Sequence, residues 1–267
     1  MSPLSFFKYF VRVRVRTAKK IFFIHLACSF ILALLSAILV FGLWYPYPYN
    51  EISGGREIFL LIIGVDVVCG PLLTLVLFSP SKKKSELRRD LGLVLLIQLG
   101  ALGFGLFTVW QARPLFLVME RERFKVVAKP DLRLTSDPLA VTAWAKLSGS
   151  LKPKWFEGPK IVALRESINE NESTQVMIDY TLGGRDFSDR PEFYIPYSNV
   201  NALKFAKPLE FFLKKYPALQ VIANRLALEK GASIATWSYL PIVARKDWVV
   251  ILGGQGQIEG FLPGKAP

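Results

Sequence analysis

Arg56–Asp90 reads REIFLLIIGVDVVCGPLLTLVLFSPSKKKSELRRD, and the fold class follows from it. Ile58–Phe78 is almost unbroken apolar sequence, 21 residues long, close to the ~20 a helix needs to cross the hydrocarbon core of a bilayer. Asp66 sits near its middle, with Gly70 and Pro71 one turn on. A carboxylate at that depth costs roughly 2.5–3.5 kcal/mol and normally faces protein or water, so it is a functional candidate by default. Pro71 donates no backbone hydrogen bond and disturbs the turn before it. The segment ends in Ser79-Pro80 and the basic residues Lys82, Lys83, Lys84, Arg88 and Arg89, a run of the kind that stays on the cytoplasmic side.

Working outward, the apolar stretches Ile21–Trp44 and Leu91–Trp110 flank this one. The basic flank Met1–Lys20 carries Arg12, Arg14, Arg16, Lys19 and Lys20 and no acid. Residues 1–113 hold 13 Lys/Arg against 5 Asp/Glu, whereas 114–267 hold 21 against 16, within a net charge of +13. The excess lies beside the spans, where membrane topology and anionic lipid headgroups account for it and no nucleic-acid partner is implied. Counting cations places 1–20 and Ser79–Asp90 in the cytoplasm. Tyr45–Glu57 and the chain beyond Arg113 then lie outside. The expected fold class is a membrane protein of three transmembrane α-helices (about 21–44, 58–78 and 91–110, within a domain 21–113). A soluble α+β domain with antiparallel strands follows over 114–267, in the periplasm.

Small and polar residues mark helix contacts. His25, Ser29, Ala33 and Ala37 recur every four residues with Ser36 beside them, and Gln98 lies among Gly92, Gly100, Gly103 and Gly105 in the third span. Such residues let helices approach closely. Between the first two spans, Tyr45-Pro46-Tyr47-Pro48-Tyr49 reads as an interfacial aromatic belt, and Ser53-Gly54-Gly55 as a turn before Arg56.

In the outer part, Leu115–Val127 and Lys160–Arg165 read as strands. Asp137-Pro138 opens a short helix with Val141 and Trp144 inward. Asn171–Leu182 reads as a helix with Val176, Met177 and Tyr180 on one side. Helices from Pro208 (Leu209, Phe212, Leu213, Tyr216) and Pro217 (Leu219, Ile222, Leu226) follow, the second stopped by Gly231. Leu240–Lys246, Trp248–Leu252 and Gln257–Leu262 read as closing antiparallel strands.

Chemistry is largely excluded by composition. Cys28, Cys69 and His25 are the chain's cysteines and histidine, all in the first two apolar runs. The outer part therefore has no disulfide, no thiolate or imidazole metal site and no histidine-based triad, and is expected to fold without metal or cofactor. Gly253-Gly254-Gln255-Gly256 lacks the Lys-Ser/Thr and following helix of a phosphate loop and reads as a hairpin turn. An intramembrane aspartyl site needs two adjacent carboxylates. Asp90 lies at the cytoplasmic end of its span, ~18 Å below Asp66 at about 1.5 Å per residue. Glu120-Arg121-Glu122-Arg123 reads as a solvated charge cluster. Asp66 keeps two readings: a neutral carboxyl hydrogen-bonded to Ser29, Ser36 or a backbone carbonyl near Pro71, or a charge held for a partner helix.

Several motifs form a recognisable pattern from Tyr45 to about Phe124: Tyr-Pro-x-Pro-Tyr, Ile-Ser-Gly-Gly (Ile52–Gly55), Val-Asp-x-Val-x-Gly-Pro-Leu-Leu-Thr (Val65–Thr74) and Glu-Leu-Arg-Arg-Asp-Leu (Glu86–Leu91). Glu157–Lys160 and Leu240-Pro241 with Lys246-Asp247 fit more loosely. This stretch resembles the TfpX/TfpZ family of type IV pilin accessory proteins. The resemblance implies a bacterial inner-membrane protein that assists a type IV pilin in stability or pilus assembly, with no catalytic residues to carry over and no mechanism implied; the leading expectation is a non-catalytic accessory or chaperone. The pilin's transmembrane helix, and its head domain, are the expected partners. Candidate partner contacts are Asp66, Gly70, Pro71, Ser29, Ser36 and Gln98 in the spans and Tyr47, Pro48, Tyr49, Gly54, Gly55 and Arg56 in the loop. A membrane enzyme acting on pilin or a lipid-linked sugar, and a small transporter subunit, are the alternatives.

Overall fold

The computed structural model describes residues 3–78 and 82–267, with side chains from Lys19 on, Val200 excepted. Ser79–Ser81 and the Arg12, Arg14 and Arg16 side chains, which the topology reading uses, lie outside the described residues. The chain divides into two compact units: one comprises the chain up to Gly42 plus Arg56–Trp110, the other Leu43–Gly55 plus Gln111–Pro267.

The first unit is helical. α1 (Pro3–Leu39) continues as a π-turn over Val40–Trp44, α3 is Gly55–Leu77 and α4 is Lys84–Gln111, with the four-residue α2 (Tyr49–Ile52) in the connection before α3. Lys19–Trp44, Gly55–Leu77 and Lys84–Gln111 are each long and apolar enough to cross a membrane. α4 starts seven residues before the apolar run because Lys, Glu, Leu and Arg are all good helix formers. Lys82, two residues before it, donates to the Leu77 carbonyl at 3.1 Å and pairs with Asp90 at 2.7 Å.

Helix contacts follow the 3.6-residue period more closely than the sequence pattern suggested. The buried stripe of α1 is Ser29, Ala33 and Ser36, continued by Val40 of the π-turn. A strict four-residue spacing drifts ~40° per step on a 3.6-residue helix, which carries Ala37 to the margin of that stripe. On α4 the buried positions are Val94, Gln98, Leu102, Gly105 and Val109. Gly92, Gly100 and Gly103 meet nothing within 4 Å, so of the glycines expected at helix contacts only Gly105, which packs on Ile62, is at one.

The second unit is built on one sheet. Its strands are β1 (Pro114–Met119), β2 (Phe124–Ala128), β3 (Lys160–Leu164), β4 (Tyr194–Pro196), β5 (Lys207–Pro208), β6 (Ser238–Val243), β7 (Trp248–Leu252) and β8 (Ile258–Pro263), in the order β4-β3-β1-β2-β6-β7-β8 with β5 also on β6. The closing β6–β7–β8 meander is antiparallel as expected. The sheet as a whole is mixed, which corrects the antiparallel expectation: β1 pairs with β3 in parallel, and β2 with β6. Parallel neighbours are joined by long crossovers, which leave no turn signal between them in the sequence.

Helices cover both faces of the sheet. β1 and β7 are buried throughout, hence their continuous apolar runs. On one face Leu117, Met119, Phe124, Leu240, Ile242 and Val250 pack with Tyr49 and Ile52 of α2 and with Ala202 of α7 (Asn199–Leu203). Alternate residues serve the other face. Val249, Ile251 and Leu262 meet Leu209, Phe212 and Leu213 of α8 (Leu209–Lys215) and Ala223 and Ala227 of α9 (Gln220–Lys230). Phe116, Val118 and Val162 pack with Leu132 and Tyr194, and Trp144 of α5 (Pro138–Lys146) borders them. Four residues expected inward from the sequence, Val141, Met177, Tyr180 and Ile222, are exposed. Val176 of α6 (Glu170–Thr181) is buried as expected, and Ala140, Ala223 and Ala227 take the other buried places. Small residues at those turns bring the helix backbones close to the sheet.

Arg185 is the ionic tie of this unit. Its fully buried guanidinium donates to the Asp137 carboxylate at 2.8 Å and to the Asp189 carbonyl at 3.2 Å. Asp137 in turn caps α5 through the Leu139 and Ala140 amides, so one carboxylate joins the start of a helix to the loop that follows α6.

Candidate functional site

Two arrangements, one in each unit, gather the residues singled out from the sequence. The first lies among the candidate spans. α3 buries Phe59, Asp66, Gly70 and Thr74 along one face, with the buried Phe78 just past its end; from Asp66 onward the helical ones are spaced by four and therefore stack on one side of the helix. The buried Gln98 of α4 crosses to this face and donates Nε2 to the Asp66 backbone carbonyl at 3.0 Å. Gly70 makes that crossing possible, since any Cβ there would collide with the Gln98 amide. Pro71 lacks the amide that would bond the Val67 carbonyl, one residue beyond the carbonyl that Gln98 takes. Ser29 and Ser36 are buried on α1.

One residue of this site had not been singled out. Thr74 is almost fully buried, and its Oγ1 lies 2.6 Å from His25 Nδ1. Its signal was the continuation of the Asp66–Gly70 spacing by four more residues. His25 therefore ties α1 to α3 eight residues along from Asp66, about 12 Å on a helix. The cluster holds one carboxylate, one amide, hydroxyls and one imidazole. Such a set can hydrogen-bond and fix helix register, and it contains no second carboxylate for shared-proton chemistry.

The second arrangement is the segment Leu43–Gly55 in the sheet unit. Tyr49 and Ile52 are buried in the core, and the Lys246 amide donates to the Ile52 carbonyl at 3.2 Å. Lys246 also pairs with Glu51 at 3.6 Å. Gly54 has φ +73°, a conformation costly for residues with a Cβ, and the Arg245 side chain lies directly over it. The Tyr45 ring packs on Gly55 in the same way. Burial pushes the Tyr45 and Tyr49 hydroxyls up in pKa, with Arg113 opposing the shift at Tyr45. Pro48 is buried too, whereas Tyr47 is 66% exposed, with its ring 6.1 Å from that of Trp248. Arg56 is exposed at the start of α3. Of the loop residues expected to meet a partner, Tyr47 and Arg56 present surface, while Pro48, Tyr49, Gly54 and Gly55 build the fold. Among the described residues no group of three His, Cys, Asp or Glu could hold a metal ion.

Three candidate transmembrane helices followed by a mixed-sheet domain mark a membrane protein. Comparison with known proteins places it further. Residues 13–54 match the family described as fimbrial assembly protein FimB. The fimbrial assembly protein of serogroup E1 from Dichelobacter nodosus is 34% identical over 240 residues, covering 88% of this chain and 90% of that protein. Its serogroup I counterpart matches equally, and that of serogroups C1 and C2 is 42% identical over 123 residues, 46% of this chain and 94% of its own length. The chain belongs to this family of fimbrial assembly proteins. No solved structure matches it.

Proposed function

We propose that this protein is a non-catalytic accessory factor for type IV fimbrial assembly, resident in the bacterial inner membrane with its sheet unit in the periplasm, and that it stabilises or delivers a pilin. The observation that carries this reading is that a fimbrial-assembly match extends over most of a chain with three spans and a folded sheet unit. The resemblance of Tyr45–Phe124 to the TfpX/TfpZ pilin accessory proteins supports it. A pilin is anchored by an apolar helix and carries a soluble head, so a partner with both a helical and a sheet unit can hold it at two points. Two weak linked contacts then gain effective concentration.

Lipid-facing positions on α3 and the exposed loop tyrosine are the places to look for the partner. Photoreactive residues at Leu61, Val65 and Tyr47, all exposed, should crosslink pilin in cells. Crosslinks at none of them would remove the pilin-contact reading. Pilin purified with and without this protein should have the same mass; a difference would make it an enzyme acting on pilin.

A further inference from the structure

The chain enters β1 within three residues of the end of α4. Pro114 of β1 pairs with Ala128 of β2, and Phe116 of β1 lies beside Lys160 of β3. The start of β1, the end of β2 and the start of β3 therefore share one end. Lys129, just past β2, reaches back to Gln111, the last residue of α4, at 2.5 Å.

The loop leading into β3 is held at that same end. Arg113, two residues beyond α4, donates Nη1 to the Trp155 carbonyl at 3.1 Å. Gly158 lies so close to Pro46, two residues beyond Trp44, that an added Cβ would stand 2.9 Å from its Cγ. Two residues of chain span at most ~7 Å, so the loop is tethered near the ends of two candidate spans. At its tip Trp155 and Phe156 are 64% and 72% exposed, beside Lys154, whose side chain is 75% exposed. Indole and phenyl rings partition into the headgroup layer of a bilayer surface that lies within reach. That layer is roughly 5–7 Å thick on each side of the hydrocarbon core.

We infer that the Lys154-Trp155-Phe156 tip is a lipid-binding element that inserts into the headgroup region of the outer leaflet, with the exposed Lys154 drawing it to anionic phosphates. It would pin the sheet unit to the membrane surface through a contact separate from the spans. The inference rests on α4 crossing a bilayer and does not depend on a pilin partner.

The test uses the full chain in nanodiscs of phosphatidylcholine with a minority of phosphatidylglycerol, prepared with or without lipids brominated just below the headgroup. The contribution of Trp155 is the emission of the wild type minus that of Trp155→Phe. It should be largely quenched by the brominated lipid, and Lys154→Glu should weaken the quenching. Trp155 emission that is unquenched, or quenched only once purified pilin is added, overturns the lipid assignment. As a second reading, a nitroxide at Phe156→Cys, in a background lacking Cys28 and Cys69, should be more accessible to oxygen than to a water-soluble nickel chelate. The reverse order overturns the proposal without reference to any fluorescence change.

Discussion

At the scale of single residues, Gly70 and Gln98 form one device. The absent side chain of Gly70 is the space through which the Gln98 amide reaches the Asp66 carbonyl. Gly70→Ala should displace that amide and leave it buried without its acceptor. The expected loss is about 1 kcal/mol, the usual size of an interhelical hydrogen bond in a membrane. The same substitution in a Gln98→Ala background should be nearly neutral, because the partner it would displace is gone. Melting temperatures of the four proteins in detergent form a double-mutant cycle that measures the coupling. Gly92→Ala and Gly100→Ala, where an added methyl meets open space, should leave the melt unchanged or raise it slightly. Asp66 belongs to the same contact. With its backbone carbonyl held by Gln98, the role expected from packing is that Asp66→Asn keeps normal abundance and normal pilin contact, while Asp66→Leu lowers the protein level. An Asn variant of normal abundance that no longer crosslinks pilin would instead show that the charge itself recognises the partner.

At the scale of elements, helix α6 shows what local sequence controls. Asn169 accepts from the Glu172 amide at 2.9 Å, and the Glu172 carboxylate accepts from the Ile168 amide at 2.7 Å, a reciprocal cap at the helix start. Arg165 clasps the same carboxylate through two nitrogens, at 2.7 and 2.9 Å. The Arg165 guanidinium first, and the Ile168 amide second, hold the Glu172 carboxyl down from 4.5 to about 2. A group depressed on folding contributes its stability above the unfolded value and loses it as pH falls toward the folded one. Melting temperature should therefore drop between about pH 4.5 and 2, and Glu172→Gln should be less stable at neutral pH with a flatter profile across that window. A variant whose profile parallels the wild type would show that Arg165 does not charge-pair in solution. Asn169→Ala should cost about 1 kcal/mol at any pH. Caps, Pro-led helix starts and the Gly231 stop are short-range devices, which is why α5, α6, α8 and α9 were legible to within a few residues. The three spans were legible from length and apolarity alone. The β1–β3 and β2–β6 pairings were not, since each depends on residues brought together by a long crossover. Nor was the contact face of α4: four glycines in one span draw attention to themselves, yet the residue that reaches across is Gln98.

At the scale of the whole molecule, orientation and the extent of the sheet unit can both be tested. The cation count predicts that a periplasm-only reporter is active after Pro267 and silent at Ser81; the opposite pattern would invert the topology. The second matter is where the sheet unit ends. It contains no cysteine or histidine, so its melt should be indifferent to reductant, and a chelator that unfolds it would reveal a carboxylate metal site. Its core, however, is not contained in the residues after α4. Tyr49 and Ile52, more than fifty residues upstream, fill the face formed by Met119, Phe124, Leu240, Ile242 and Trp248. Residues 111–267 expressed alone should expose that face and melt below the same residues in the full chain. A peptide covering Leu43–Gly55, added in trans, should raise the melting temperature in a saturable way, because a ligand that binds only the folded state stabilises it by mass action. The peptide carrying Ile52→Ala should bind far more weakly, as burial of that side chain is worth about 2–5 kcal/mol. Equal melting with and without the peptide would mean that the segment merely rests on the sheet. Saturable stabilisation would instead show that the first two spans are linked through the core of the sheet unit, so that a partner pulling on either span is felt in that core.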